Sequence, residues 1–185
     1  MVQTSTQPST LKDFLQRPET QPASEFIQGR VSQKPMPQGE HSILQSELIN
    51  AINTAAKPDQ IAYGFPELRC VFGAVAIVPD IAVFRWQRIP RTPSGRVANR
   101  FESHPDWAIE ILSPQQSQTQ PLSKLLHCIE QGAELAWLLD PEAESILAIF
   151  PEARVKLYHG TEPLPVLPEL DLRLSASDIF DWLSL

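Results

Sequence analysis

The sequence predicts an α/β (α+β) fold in which a mixed β-sheet is flanked by helices. Short runs rich in Val, Ile and Phe occur between residues 60 and 86 and again between 106 and 151, which is typical of strands. Segments with apolar residues at helical spacing precede, separate and follow these runs. Helices and strands in this order usually pack as a sheet with helices against its faces.

Composition places the chain among single-domain globular proteins. Of its 185 residues, 42% are hydrophobic and 20% charged, and no apolar run approaches the roughly 18 residues that a membrane span needs. The start lacks the basic and apolar regions of a signal peptide, so we expect a cytoplasmic protein without a membrane partner. Residues 1–10 are polar and predict a flexible tail, followed by one domain over 11–185.

The first half of the chain predicts a hairpin, a long helix and several strands. A strand begins near Phe26, and Gln28-Gly29 suits a hairpin turn. Residues 39–56 predict an amphipathic helix, because apolar residues recur along one face: Leu44, Leu48, Ala51, Ile52 and Ala55. The runs "LRCVFG" and "AVAIVPDIAVFRW" then predict strands as far as residue 86.

The second half predicts three more strands and two helices. "DWAIEILSP" predicts a strand, and "PLSKLLHCIEQG" a helix with Pro121 in its first turn and Gly132 after its end. "ELAWLLDP" and "SILAIFP" predict two strands separated by a turn, and "SASDIFDWL" a final helix capped by Ser175 or Ser177.

Two acidic residues, Asp80 and Glu110, interrupt apolar runs that predict strands. A charged carboxylate in such surroundings is costly unless it is paired, hydrogen-bonded or bound to a metal. Taken singly, each has a structural explanation: Asp80 marks a strand break after a proline, and Glu110 points outward if Trp107, Ile109 and Ile111 form the inner set. Taken together, they are oxygen ligands suited to Mg²⁺, which also binds water and phosphate, and a nearby lysine would complete the site.

These residues belong to an ordered series of blocks that resembles the Uma-type family of restriction endonucleases, a DUF820-like branch of the PD-(D/E)xK nuclease superfamily. "VPDIAVF", "AIEILSP", a helical lysine and "ELAWLLDP" follow one another as in that family. "EFIQGRVSQKPMPQGEH" resembles the family's entry, with Glu25, Gly29, Pro35 or Pro37, and His41, and "LPELDLRLSASDIF" its ending. The resemblance covers about residues 24–181.

The resemblance implies a restriction-endonuclease-like core with a site for Mg²⁺ or Mn²⁺. Asp80 and Glu110 would be the acidic metal ligands, and the main-chain carbonyl of Ile111 a third. The superfamily's lysine normally follows the glutamate by two residues, where this chain has Leu112; Lys124 in the next helix would replace it and stabilise developing negative charge. His41, in the first turn of its helix, is a weaker catalytic candidate with an equally ordinary structural role.

The helix that carries Lys124 departs from the family in two places. The family's aspartate before the lysine and aromatic residue after it are Gln120 and Cys128 here. Leucines and an isoleucine also predict a buried stripe roughly opposite Lys124, which would leave that lysine solvated (Leu122, Leu125, Leu126 and Ile129).

Five arginines and no acidic residue lie between residues 85 and 101, on a chain of net charge −7 (Arg85, Arg88, Arg91, Arg96 and Arg100). Arginine binds phosphate through two parallel hydrogen bonds, so this segment predicts contacts to a nucleic-acid backbone beside the acidic pair. A solvated surface loop has the same composition.

The leading hypothesis is a metal-dependent endonuclease that hydrolyses phosphodiester bonds of DNA. The alternative is a catalytically inactive nucleic-acid-binding or protein-interaction module on the same fold, which the substitutions at 120 and 128 and the acidic net charge favour. Hydrolysis of a smaller phosphate ester is a third reading, since fold does not determine substrate. A homodimer would supply the two sites that cutting both strands requires.

Overall fold

The computed structural model describes residues 10–184, and its elements follow the predicted order of helices and strands. The first part of the chain forms α1 (Leu11–Leu15), β1 (Ser24–Ile27), β2 (Arg30–Gln33), α2 (Gly39–Ala56), β3 (Ala62–Pro66), β4 (Cys70–Phe72), β5 (Val75–Ile77) and β6 (Ile81–Arg85). The second part forms β7 (Trp107–Ile111), α3 (Thr119–Glu130), β8 (Leu135–Asp140), β9 (Ser145–Ile149), β10 (Val155–His159) and α4 (Ala176–Asp181).

The strands form two sheets. The larger has six strands in the order β10-β9-β8-β7-β6-β3, and only its β7–β8 pair is parallel. A parallel pair needs a crossover, which here contains α3. The smaller sheet has four antiparallel strands in the order β2-β1-β5-β4. These two sheets with their flanking helices confirm the predicted fold class.

Both faces of the larger sheet are buried. On one face α2 packs against alternate residues of the central strands, including Trp107, Ile109 and Ile111. The intervening residues, such as Ala108 and Leu138, pack on the other face with α3. Because a strand turns successive side chains to opposite faces, Glu110 belongs to the α3 face and not to solvent.

Local signals account for the element boundaries. Gln28 and Gly29 both have positive φ and connect β1 to β2 as predicted. Gly132, with a φ of 113°, follows α3. Ser175 caps α4 by accepting from the amide of Asp178, whose carboxylate in turn accepts from the Ser175 amide. The helix α1 and the strand β10 were not predicted.

The expected tail lies almost wholly outside the described residues. Of residues 1–10 only Thr10 is described, and its hydroxyl caps α1 by accepting from the amide of Asp13. None of the helices over residues 10–184 is both long and apolar enough to cross a bilayer.

Candidate active site

Asp80 lies where the chain passes from one sheet to the other. The apolar run around it is two strands, since β5 belongs to the smaller sheet and β6 to the larger, and Val78-Pro79-Asp80 connects them. Proline cannot donate to a sheet ladder and suits such a connection. The apparent strand break therefore marks the junction of the two sheets and turns Asp80 inward, with 1% of its surface exposed.

Three donors surround the Asp80 carboxylate. The ammonium of Lys34 lies 2.5 Å from Oδ1. The main-chain amide of Ile111 donates to Oδ2 over 2.7 Å, and Nε2 of His41 lies 3.2 Å from the same oxygen. Burial by itself raises the pKa of Asp80, but the charge of Lys34 and the hydrogen bond from His41 outweigh it and hold the pKa well below its ordinary value.

Glu110 lies on β7, one residue before the amide that binds Asp80. The antiparallel register of β6 and β7 pairs Ile81 with Ile109, which brings the residues flanking that pair, Asp80 and Glu110, to the same end of the two strands. Glu110 is 3% exposed, so the alternative of an outward, solvated glutamate is wrong. The two acidic residues converge as the family resemblance implied.

Lys124 is buried, and the stripe predicted for its helix was misplaced. The residues of α3 that the sheet covers are Pro121, Lys124, Leu125, Cys128 and Ile129, whereas Leu122 and Leu126 lie at the margin. At about 100° per residue, 121, 124, 125 and 128 share one narrow face. The two small side chains on that face, Pro121 and Cys128, were not counted as apolar positions, and this displaced the predicted stripe.

The ammonium of Lys124 bridges two carboxylates. It lies 2.7 Å from Oε1 of Glu110 and donates to Oε1 of Glu25 over 2.8 Å. Burial would lower the pKa of Lys124, but the charges of Glu110 and Glu25 outweigh it and raise the pKa above its ordinary value. Burial also raises the pKa of Glu110 to about 7, because Lys124 only partly offsets desolvation and the nearby charge of Asp80.

His41 reaches Asp80 from the first turn of α2 and is 6% exposed. Its Nδ1 is buried, and no group of residues 10–184 forms a hydrogen bond with it. A neutral imidazole that donates through Nε2 to Asp80 has an acceptor at Nδ1. The ring therefore holds the Asp80 carboxylate and keeps one nitrogen unused.

Two further charged residues of the site escaped the sequence analysis as functional residues: Lys34 was not singled out, and Glu25 was noted only as part of the family's entry. Both come from the hairpin β1–β2 of the smaller sheet, where Glu25 also accepts from the amide of Val78 over 2.7 Å. Glu25 and Phe26 are adjacent on β1 and both are buried, although a polar residue next to an apolar one predicts an exposed position for the glutamate. Lys34 lies 46 residues before Asp80, and no local pattern connects the two.

A cleft runs past these groups. A cavity of about 290 Å³ between the hairpin and α3 is lined by Glu25, Lys34, Glu110 and Lys124. A second, of about 760 Å³, lies on the other side and is lined by His41 and Ser113. Gln116 lines both cavities as well as the small gap between them that reaches Asp80. The two larger cavities therefore approach the site from the His41 side and from the Glu110 side, whereas the gap at Asp80 itself has a volume of only about 10 Å³.

The arginine-rich segment does not lie beside the acidic pair. It leaves β6 at Arg85, the opposite end of the strand from Asp80, and five residues of strand span about 17 Å. Arg85 binds both oxygens of Glu134 at 2.6 and 2.8 Å, and Arg88 pairs with Asp106. None of the five arginines lines either cavity of the cleft.

Arg91, Arg96 and Arg100 have other surroundings. Arg91 lies over the ring of Trp86, 5.4 Å from its centre, and Arg96 and Arg100 are exposed. The expectation that this segment contacts nucleic acid next to the carboxylates was wrong in its placement, because Arg85 and Arg88 are consumed in ion pairs at the far end of the sheet.

The two carboxylates suit a divalent cation such as Mg²⁺, which needs only one or two protein ligands and binds water for the rest. Asp80 and Glu110 supply carboxylate oxygens, and burial raises the pKa of Glu110 to about 7, so a nearby cation would favour its ionised form. Within residues 10–184, no three His, Cys, Asp or Glu side chains are grouped to hold a metal ion. Mg²⁺ typically binds one or two carboxylates and completes its shell with water and substrate phosphate, so the residues fit it.

Comparison with known proteins gives a consistent result. The profile of the family Uma2, described as "putative restriction endonuclease", matches residues 11–177. A crystal structure titled a putative nuclease belonging to DUF820, from Anabaena variabilis ATCC 29413, superposes with a TM-score of 0.93 at 48% identity. The match covers 95% of this chain and 99% of that one. Among curated proteins none shows significant similarity. Because the Uma2 model matches most of its length, the chain belongs to the Uma2 family, described as "putative restriction endonuclease".

Proposed function

We propose that the protein is a metal-dependent endonuclease that hydrolyses phosphodiester bonds of DNA. The observation that carries the proposal is the convergence of Asp80, Glu110 and Lys124 at one cleft, with Lys124 Nζ 2.7 Å from Glu110 and the Ile111 amide 2.7 Å from Asp80. These three side chains come from different elements and are all buried. A packing role alone would be met more cheaply by apolar side chains.

The carboxylates of Asp80 and Glu110, with the main-chain carbonyl of Ile111, would hold Mg²⁺ or Mn²⁺. A divalent cation bound there supplies an activated water and stabilises the charge that develops on a phosphate under in-line attack. The Ile111 amide fixes Oδ2 of Asp80, so the carboxylate is oriented before any ligand arrives. Such pre-orientation lowers the entropic cost of assembling the site.

Lys124 would stabilise negative charge on the reacting phosphate or orient the attacking water. Its ammonium is held between Glu25 and Glu110 and cannot swing freely. A preorganised charge in a site with little water stabilises a transition state more than a mobile one in solvent. His41, in contact with Asp80, would hold that carboxylate in its binding orientation.

The shape of the cleft supports a polymeric phosphate ester as substrate. The larger cavity adjoins His41 and the smaller one adjoins Glu110 and Lys124, so phosphates on either side of a scissile bond would have room next to the site. Arg30, Lys34 and Lys124 contribute positive charge to the smaller cavity. A DNA backbone carries one phosphate per nucleotide and binds such a groove without sequence preference. A homodimer would allow both strands to be cut.

The alternative, an inactive nucleic-acid-binding or interaction module, is favoured by the ion pairs that already neutralise the carboxylates. The substitution at position 128 supports this alternative less than the sequence suggested, because Cys128 packs in the core below Lys124 and does not line the cleft. Gln120 does line it. Metal binding separates the two functions, since the inactive module requires no cation at Asp80 and Glu110.

The test is plasmid cleavage by the purified chain with Mg²⁺ or Mn²⁺, compared with Asp80→Asn and Glu110→Gln. We expect nicked and linear products from the wild type, and a loss of at least about a hundredfold in each variant, the scale of losing one electrostatic transition-state contact. Asp171→Asn, at a carboxylate that is 92% exposed, is the matched control and should cleave normally. Cleavage that survives Asp80→Asn would refute the assignment. Calorimetric titration with Mn²⁺ should show binding that the same two variants abolish.

A further inference from the structure

Lys34 is a second lysine in the site, and it occupies the face of Asp80 on which a cation would bind. Its ammonium lies 2.5 Å from Oδ1 of Asp80 and donates to the carbonyl of Val78 over 2.8 Å. The side chain is 9% exposed. Lys34 follows β2, so the smaller sheet brings this charge to a carboxylate at the edge of the larger one.

The two oxygens of Asp80 have different surroundings. Oδ2 already accepts from the Ile111 amide and lies 3.2 Å from His41 Nε2. Of these two neighbours, the Ile111 amide is part of strand β7 and the His41 ring is buried in the first turn of α2. Oδ1 is bound by one flexible side chain. Oδ1 is therefore the oxygen that Asp80 would offer to a metal ion, and such an ion would compete with the Lys34 ammonium for it.

A displaced ammonium has a place to go. Lys34 lines the cavity of about 290 Å³ that also contains Glu110 and Lys124, together with Arg30. A lysine is a compact charge on a flexible four-carbon stem, so it can turn into this cavity with only side-chain rotation. The substrate would enter this cavity beside the proposed metal. Its phosphate is negatively charged and can accept a hydrogen bond from the Lys34 ammonium.

We propose that Lys34 is a substrate-binding lysine that neutralises Asp80 in the metal-free protein and moves to a phosphate of the nucleic acid once a metal ion takes its place on Oδ1. This proposal rests on the proposed nuclease function and adds a residue and an exchange of ion pairs to it. It predicts that removing the Lys34 charge has opposite effects on two affinities. Metal binding without substrate improves because a competitor is gone, and nucleic-acid binding weakens because a phosphate contact is lost.

The experiment compares wild type with Lys34→Gln and Lys34→Arg by calorimetric titration with Mn²⁺. Glutamine can still donate to the Val78 carbonyl but carries no charge, so its Mn²⁺ dissociation constant should fall. If Lys34 leaves Oδ1 free about one tenth of the time, the fall is about tenfold. Arginine keeps the competing charge and should bind Mn²⁺ within about twofold of the wild type. Lys34→Met is the second uncharged variant should glutamine fail to fold, and circular dichroism checks each protein.

The second readout is fluorescence anisotropy with a labelled duplex DNA in Ca²⁺, another oxygen-binding cation. Lys34→Gln should bind the duplex about tenfold more weakly, whereas Lys57→Met should match the wild type. Lys57 is an exposed residue that follows the end of α2, about 24 Å along that helix from His41.

Opposite changes in the two affinities support the proposal. A Mn²⁺ affinity that stays the same or falls in Lys34→Gln overturns it, as does unchanged DNA binding. Joint loss of both would mean that Lys34 only holds the site together. Failure of the nuclease proposal itself looks different, because then neither wild type nor variant binds Mn²⁺ in a way that depends on Asp80.

Discussion

The amide of Ile111 donates to Oδ2 of Asp80 over 2.7 Å, and this hydrogen bond ties one acidic residue to the strand that carries the other. Glu110 is the neighbour of Ile111 on β7. The Asp80 carboxylate is thus held against the main chain of β7, directly beside the residue that carries the second carboxylate. Support from a strand positions a site more precisely than support from a loop.

The contacts of Asp80 predict different stabilities for two substitutions. Asp80→Ala leaves the largely buried Lys34 charge without its counter-charge and the Ile111 amide without its acceptor, so we expect the free energy of unfolding to fall by about 3–5 kcal/mol. Asp80→Asn retains an oxygen that accepts from Ile111 and should lose less. Urea denaturation measures both, and equal losses would contradict this account of the site.

Glu25 positions Lys124, since its Oε1 accepts from the ammonium at 2.8 Å while it also binds the Val78 amide. In Glu25→Gln we expect the cleavage rate to fall by about 10- to 100-fold, the usual effect of removing an orienting partner. The Mn²⁺ dissociation constant should change little, because Glu25 is not a proposed ligand. Glu130→Gln, on the exposed side of the same helix, is the control. If Glu25→Gln weakened Mn²⁺ binding as much as it slowed cleavage, Glu25 would act on the metal site and not on Lys124 alone.

Glu110 predicts a pH dependence for the metal-free protein. Burial raises its pKa from 4.5 to about 7, so the native state holds this proton more tightly than the unfolded chain does. The stability that this group contributes is present below pH 4.5 and is lost as the pH rises to about 7.

The shifts of Asp80 and Lys124 act outside that window, below pH 3.8 and above pH 10.5. In EDTA, the free energy of unfolding of the wild type should therefore decline relative to Glu110→Gln between pH 4.5 and 7. Denaturation curves at several pH values measure this. Parallel profiles of the two proteins would show that Glu110 is ionised throughout.

The arginines at the far end of the sheet predict a structural effect. Arg85 binds both oxygens of Glu134, which is about one third exposed, so Arg85→Ala should lower the free energy of unfolding by about 1–2 kcal/mol. Arg96→Ala, at an exposed position, should change it by less than about 0.5 kcal/mol. Thermal unfolding checks both. Comparable losses would mean that Arg96 has partners of equal strength.

The sequence predicted the elements whose signals are local. The helix α2 has its apolar face within eighteen residues, and the hairpin turn is encoded by two adjacent residues. The short helix α1 and the strand β10 lack such signals. Four of the five β10 residues are exposed, and the place of this strand at the sheet edge is set by pairing with β9.

The site residues that were predicted are those that the family resemblance supplied. Asp80, Glu110 and His41 converge as the ordered blocks implied, and Lys124 joins them although its helix pattern argued otherwise. Lys34 carries no pattern of its own, because its partner is fixed by the packing of two sheets. For the same reason the arginine segment was misplaced: composition gives its charge but not the end of the strand from which it leaves.

The ion pair between Lys124 and Glu25 joins residues 99 positions apart. During synthesis the hairpin with Glu25 emerges first, then the junction with Asp80, then β7, and α3 only afterwards. Domains fold largely as units during translation, and contacts this distant close late. A ribosome-bound chain that ends before residue 124 therefore has both acidic residues but no Lys124, so the proposed nuclease cannot be complete until about two thirds of the chain has been made.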